Sequence, residues 1–308
     1  MRRIGSLIFV VIFFVLCLVP GIWQERSGWI SLRNRVLENV FQTSGTDQVV
    51  VGQEGWLYYG ETSGHFTGEN RLTEEELNGV LDYVEALSRY FENQGIQFVF
   101  VCAPNKNTIY PEYMPANFLQ AAGSDARRVV AGLAARQVVT PDLVDVFSRK
   151  EAQLYHQLDS HWNNRGAAIA GETVLSLVGK DISYSHLTYT ERKDFAGDLA
   201  EMLYPNGLTK KDTQVYYKHE FSYQYLSTVR TMMEMEITTK REDQTGRLLM
   251  VRDSFGSSLI PFIADAFWEC RFTRQSMTKV LAETEGYDVV VLEIAERNLR
   301  NLLKEDLP

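Results

Sequence analysis

Three stretches of the chain are apolar almost without interruption: IQFVFVCA (96–103), RLLMV (247–251) and YDVVVLEIA (287–295). A strand with one wet face alternates apolar and polar residues. A continuous run of strand length suits a strand buried on both faces, as in a parallel sheet covered by helices. Helical patterns lie between the runs. Residues 73–94 begin with a Thr suited to N-capping, carry Glu74, Glu75 and Glu76 in the first turn, and place Leu77, Val80, Leu81, Val84 and Leu87 on one stripe before Gly95. Further helical stretches are expected at about 125–137, 166–178 and 257–267. The alternation predicts an α/β, three-layer, doubly wound fold with a mostly parallel sheet. Residues 181–242, rich in Tyr, Thr and charge, are expected to form loops with some short strands.

The N-terminus reads as an address. Residues 4–23 (IGSLIFVVIFFVLCLVPGIW) carry no charge and are long enough to cross a bilayer as one transmembrane helix, with Arg2 and Arg3 before them. The positive-inside rule then keeps the N-terminus cytoplasmic and sends the rest of the chain out. A retained anchor is favoured over a cleaved signal peptide, because the run exceeds a usual apolar h-region and no A-x-A-like site follows. It is favoured over a core helix because it is apolar on all sides at the chain terminus. The expected organisation is an anchor at 1–23, a juxtamembrane linker or amphipathic helix at 24–45 and one folded domain at 46–308. The expected location is the cell membrane, single-pass, with that domain extracytoplasmic.

A net charge of -9 without a long basic block supplies no electrostatic footprint for nucleic acid. Three cysteines exclude a disulfide scaffold: Cys17 lies in the apolar N-terminal run, and Cys102 and Cys270 lie in expected strands. Two buried free thiols are favoured over a Cys102–Cys270 bridge, because Cys packs well as a small hydrophobe.

Ligands of open parallel sheets bind beyond the carboxyl ends of the strands, so the residues after each apolar run define the candidate site. These are PNKN (104–107), RDSFGSS (252–258) and ERN (296–298). In RDSFGSS, Ser254 stands between a buried strand and an expected helix, where a hydroxyl is exposed near backbone N–H groups able to hold an oxyanion. The competing reading of such a serine is a helix cap. A nucleophilic serine needs a base, and the base needs an orienting carboxylate. LYHQLDSHWNNRGA offers His161 two residues after Asp159, a spacing that requires an extended or looped segment to bring the two side chains together. A metal site built from His156, Asp159 and His161 ranks below the triad, because the spacing matches no strong zinc pattern.

Together the motifs GQEGWLYY (52–59), APNKNTIYPEYMP (103–115), LDSHWNNRGA (158–167), VRDSFGSS (251–258) and VVVLEIAERNL (289–299) occur in an order that resembles the alginate O-acetyltransferase-like family of AlgJ/AlgX type, with its DHHW relatives, a branch of the SGNH hydrolase-like fold. The resemblance runs from about Val51 to Leu299. The family sets the Asp-x-His pair before the Ser, and this chain has that order. Ser160 stands where the DHHW form would have His.

The resemblance implies a triad of Asp159, His161 and Ser254, with Asn105, Lys106, Arg252, Phe255 and Arg297 as candidates for oxyanion or substrate contacts, beside the backbone N–H that follows Ser254. The alternative for Arg297 is an ion pair with Glu293 that braces the last strand. It further implies O-acetyl transfer to an extracellular or cell-wall polysaccharide through an acetyl-serine, with no cofactor and no metal. The implied partner is a multi-pass membrane acyltransferase of the MBOAT type. An O-acetylesterase would use the same triad. A non-catalytic polysaccharide-binding or export scaffold would be expected to have lost it.

Overall fold

The computed structural model describes residues 27–38, 43–149, 152–205 and 211–308. The expected anchor at 4–23 and Cys17 lie outside the described residues; among the described residues no helix is long and apolar enough to cross a membrane. Ten strands are present among them. A two-stranded ribbon, β1 (Val49–Val51) and β2 (Leu57–Tyr59), opens the domain. The central sheet runs in the order β3 (Gln97–Ala103), β10 (Val289–Ala295), β8 (Arg247–Val251), β9 (Glu269–Thr273), β7 (Glu236–Lys240), β6 (Gln224–Tyr225). The β3–β10, β10–β8 and β8–β9 pairs are parallel, whereas β9–β7 and β7–β6 are antiparallel. The sheet is therefore mixed, and the parallel half is the part that the apolar runs predicted. The other half escaped periodicity because β7 (EITTK) has a single apolar residue, Ile237, and β6 is two residues long.

Continuous apolarity has the expected cause. Val99, Val101, Met250 and Val291 pack on one face of the sheet with α4 (Asn164–Leu177) and the short helix Ile260–Ala264. Phe98, Phe100, Cys102, Leu249, Val290 and Leu292 pack on the other with α2 (Glu74–Glu92) and α3 (Asp125–Ala135). The two layers of helices make the three-layer α/β fold. Thr73 caps α2 in a full capping box with Glu76. Asn163 caps α4 by accepting the N–H groups of Arg165 and Gly166. The helix expected after the Ser254 turn is a 3-10 turn, Gly256–Leu259, that leads into Ile260–Ala264. Cys102 and Cys270 are buried free thiols in clusters on opposite faces of the sheet.

Residues 181–242 hold the expected short strands and a short helix besides. β4 (Tyr189–Phe195) and β5 (Asp212–Tyr217) form an antiparallel pair around the short helix Asp198–Leu203. The segment before β1 contains α1 (Ser27–Val36), which is docked on the domain rather than free: the Ser31 hydroxyl donates to Pro205 O (2.7 Å) and the Asn34 amide to Leu203 O (2.6 Å).

Candidate active site

An antiparallel bridge between Tyr155 and Trp162 closes a short loop that carries Asp159, Ser160 and His161. The looped conformation that lets two residues so spaced point the same way arises there. Asp159 Oδ1 accepts both the His161 backbone N–H (2.8 Å) and a hydrogen bond from the ring Nδ1 (2.8 Å), so the carboxylate orients the imidazole and the turn together. Across the fold, His161 Nε2 lies 2.8 Å from Ser254 Oγ in the turn after β8. The result is a continuous carboxylate–imidazole–hydroxyl line. Burial alone would raise the Asp159 pKa; the His161 ring and its charge, with the Asp198 and His161 amides, outweigh it and hold the carboxyl well below the usual range.

The loop is clamped from below by Lys106. Its buried ammonium donates to Leu57 O (2.6 Å), Gln157 O (2.8 Å) and Asp159 O (3.0 Å), with the Trp56 and Tyr58 rings at 5.0 and 5.3 Å. All three N–H donors are engaged, so Lys106 is a brace and not an oxyanion donor. Burial pushes its pKa down to about 7 against the pull of Asp159, Asp212 and Asp198. Three of the sequence motifs, at 52–59, 103–115 and 158–167, thus meet at one cation.

The Ser254 turn is fixed by two acidic side chains. Asp253 Oδ1 accepts the Phe255 N–H (2.9 Å), while Oδ2 accepts the Ala295 N–H and the Asn298 amide, both at 2.8 Å. Buried Glu293 on β10 accepts the Asp253 and Gly256 N–H groups through Oε2, each at 3.0 Å. A Cβ at position 256 would approach Glu293 Oε2 to 2.5 Å, so the close approach requires Gly256. Glu293 is therefore a support for the turn and not an ion-pair partner of Arg297. The amide after Ser254 is also committed, to Asp253, and cannot serve an oxyanion in this arrangement. Among the described residues the Ser254 amide is left without an acceptor in the turn.

The remaining candidates separate. Arg252 is buried and donates to Ser257 Oγ (2.8 Å) and to the carbonyls of Met232 and Glu234 (3.0 Å each), tying the 232–234 loop to the turn. Phe255 is fully buried, with its ring 4.7 Å from His161 and 4.9 Å from Trp162; it backs the imidazole rather than facing substrate. Arg297 is half-buried, its guanidinium 5.1 Å from the Phe255 ring and 5.5 Å from that of Tyr59. Asn105, at the carboxyl end of β3, is fully buried with both side-chain amide atoms unpaired, while Glu296 accepts its backbone N–H (2.8 Å).

His156 does not join His161. Its ring stacks on Phe195 at 4.0 Å and contacts Gln214 (3.2 Å). The cluster that does group ligand-type atoms is Asp159, His161 and Asp198, within 4.8 Å of one another. There both imidazole nitrogens already have hydrogen-bond partners in Asp159 and Ser254, so a cation would have to displace them. Asp198, from the poorly legible 181–242 region, had no motif to mark it.

The family model for an SGNH hydrolase-like domain, acetyltransferase AlgX, matches residues 49–249. The chain belongs to this family. The matched segment contains Asp159 and His161 and ends five positions before Ser254. Family members similar to this chain include the probable alginate O-acetylase AlgJ of Pseudomonas fluorescens, 28% identical over 44% of this chain and 34% of that protein. The chain spans only about a third of the length of that relative. Among solved structures, Bacillus cereus PatB1 with a sulfonyl adduct has a similar fold (TM-score 0.64, 15% identity, 86% of this chain and 99% of that one). The O-acetyltransferase domain of Pseudomonas putida AlgJ is also similar (TM-score 0.55, 20% identity, 84% and 94%).

Proposed function

We propose that this protein is an O-acetyltransferase that acylates hydroxyl groups of a polysaccharide through Ser254. The observation that carries the reading is the line of two 2.8 Å contacts from Asp159 through His161 to Ser254. Membership of the acetyltransferase family and similarity to AlgJ, a probable alginate O-acetylase, support the reaction class and the polysaccharide acceptor.

In the first half-reaction His161 Nε2 takes the Ser254 proton while Oγ attacks the acetyl carbonyl carbon of the donor. The developing oxyanion is held by the Ser254 amide, in the turn after β8, and the Asn105 side-chain amide, at the end of β3, two donors whose hydrogen bonds are unmet. His161 then returns the proton to the leaving group, which departs and leaves acetyl-Ser254. In the second half a sugar hydroxyl passes its proton to His161 and attacks the acetyl carbon; the bond to Ser254 Oγ breaks, and Oγ takes the proton back from His161. Asp159 keeps the Nδ1 proton in place and stabilises the imidazolium throughout. Residues 4–23 anchor the domain outside the membrane, where an MBOAT-type acyltransferase supplies acetyl groups; the apolar run after Arg2 and Arg3 supports the anchor.

The test uses the full chain in mild detergent with p-nitrophenyl acetate, followed by intact-mass analysis. Wild type should release nitrophenol and carry an acetyl group on Ser254, and added oligosaccharide should become acetylated. An S254A variant with unchanged turnover would remove the serine mechanism. Acetyl-enzyme that water clears as fast with acceptor as without it would make the protein an esterase.

A further inference from the structure

Asp159 is not the sole carboxylate at the imidazole. Asp198, the first residue of the short helix Asp198–Leu203, reaches the same loop from the opposite side. Its Oδ1 accepts the Ser160 N–H (2.7 Å), its Oδ2 accepts the Ser160 hydroxyl (2.6 Å), and that same Oδ2 lies 3.6 Å from His161 Nδ1. The Asp198 backbone N–H in turn donates to Asp159 Oδ2 (2.8 Å). Each of the three loop residues 159–161 is therefore held by an atom of Asp198. Gly197 allows this approach: a Cβ there would collide with the Leu158 carbonyl.

We propose that Asp198 is a positioning residue for the acid–base pair, sharing the Nδ1 edge of His161 with Asp159 and fixing, through Ser160, the turn that carries both. The inference rests on the triad reading above. Two physical effects follow. A second negative charge near Nδ1 favours the imidazolium form of His161, the form that must exist while the serine is acylated. Ser160 competes for the charge: its hydroxyl draws Oδ2 into a hydrogen bond and lies 3.2 Å from Nδ1 itself. The Asp198 carboxyl is raised by its burial and then by the negative charge of Asp159, as expected for two carboxylates facing one imidazole.

The other polar and charged groups around the pair are few. Ser254 faces Nε2, Phe255 covers the ring, Arg297 stands over Phe255 and Tyr59, and Lys106 lies beneath Asp159. None of these touches Nδ1, so its electrostatics are set by Asp159, Asp198 and the Ser160 hydroxyl.

The experiment measures the rate of Ser254 sulfonylation by phenylmethylsulfonyl fluoride against pH, read by intact mass on the full chain in detergent. It needs no knowledge of the acetyl donor or acceptor and reports the free-enzyme pKa of the base. Asp198→Asn keeps the shape and an oxygen for the Ser160 N–H but removes the charge. Its acid limb should move down by about half a unit to one unit, a size set by a charge that is mostly buried but still reached by solvent. Ser160→Ala frees Oδ2 toward Nδ1 and should move the limb up. A folded Asp198→Asn variant with an unmoved limb would overturn the proposal. If that variant does not fold, the Ser160→Ala limb decides: upward supports the inference, and unmoved or downward ends it. Ser254→Ala runs alongside; labelling that persists in Ser254→Ala removes the triad reading itself, whereas its loss with an unmoved Asp198→Asn limb removes the Asp198 inference alone.

Discussion

His161 Nε2 and Ser254 Oγ lie 2.8 Å apart although 93 positions separate them in the chain. Each is held by its own carboxylate: Asp159 orients the imidazole, and Asp253 locks the turn of the serine to the end of β10. The two halves of the pair are therefore set before any substrate arrives, which is the condition for efficient acyl transfer.

Removing a member of this line should abolish turnover without unfolding the protein. Ser254→Ala and His161→Ala are each expected to lower kcat/KM toward p-nitrophenyl acetate by at least about 10³-fold, and the double variant should be little worse than either alone. Thermal melting should stay near wild type, since both side chains are at the loop surface and not in the core.

Asn105 should affect rate and not stability. Its amide is buried and unpaired, so Asn105→Ala removes no hydrogen bond from the folded state. The expected loss in kcat is about 10² to 10³-fold with a small change in KM, the signature of a donor used at the transition state. A changed KM at constant kcat would assign Asn105 to ground-state binding.

Lys106→Met should act oppositely, costing on the order of 3 kcal/mol, because three buried carbonyls lose their donor. The depressed Lys106 pKa also has a pH signature. Between about 7 and 10 the unfolded chain holds a proton that the native state lacks, so wild-type stability relative to Lys106→Met should rise with pH over that window. Chemical denaturation at several pH values measures both effects.

Glu293 provides a contrasting pair. Burial, followed by the charge of Asp253, raises its carboxyl far above the normal range. Gln keeps an oxygen for the Asp253 and Gly256 amides, so Glu293→Gln should change stability by less than about 1 kcal/mol at acidic pH, whereas Glu293→Ala should cost about 3 kcal/mol. Above about pH 4 the unfolded chain releases a proton that native Glu293 keeps, so wild type should lose stability with rising pH relative to Glu293→Gln. Equal slopes in denaturation experiments would show that Glu293 is ionised.

EDTA should leave turnover unchanged, since both imidazole nitrogens of His161 are engaged by Asp159 and Ser254. Activity lost to EDTA and restored by a divalent ion would place a cation at the Asp159, His161 and Asp198 cluster instead.

The sequence by itself determined the parallel half of the sheet, because strands buried on both faces must be apolar throughout, and it determined the helices whose caps and stripes are local. It also marked Ser254, which follows a buried strand, and Asp159 and His161, which stand two residues apart in the loop before a helix. It did not determine what the polar residues after those strands do. Lys106, Arg252 and Phe255 carry the chemistry expected of substrate contacts, yet a surrounding cage of carbonyls or aromatic rings turns each into a support. The role of Asp198 and the pairing of the strands in 181–242 were invisible for the complementary reason: both come from neighbours distant in the chain. Burial pattern is written residue by residue along a strand, whereas the use of a polar side chain depends on which partner the folded chain brings within about 3 Å.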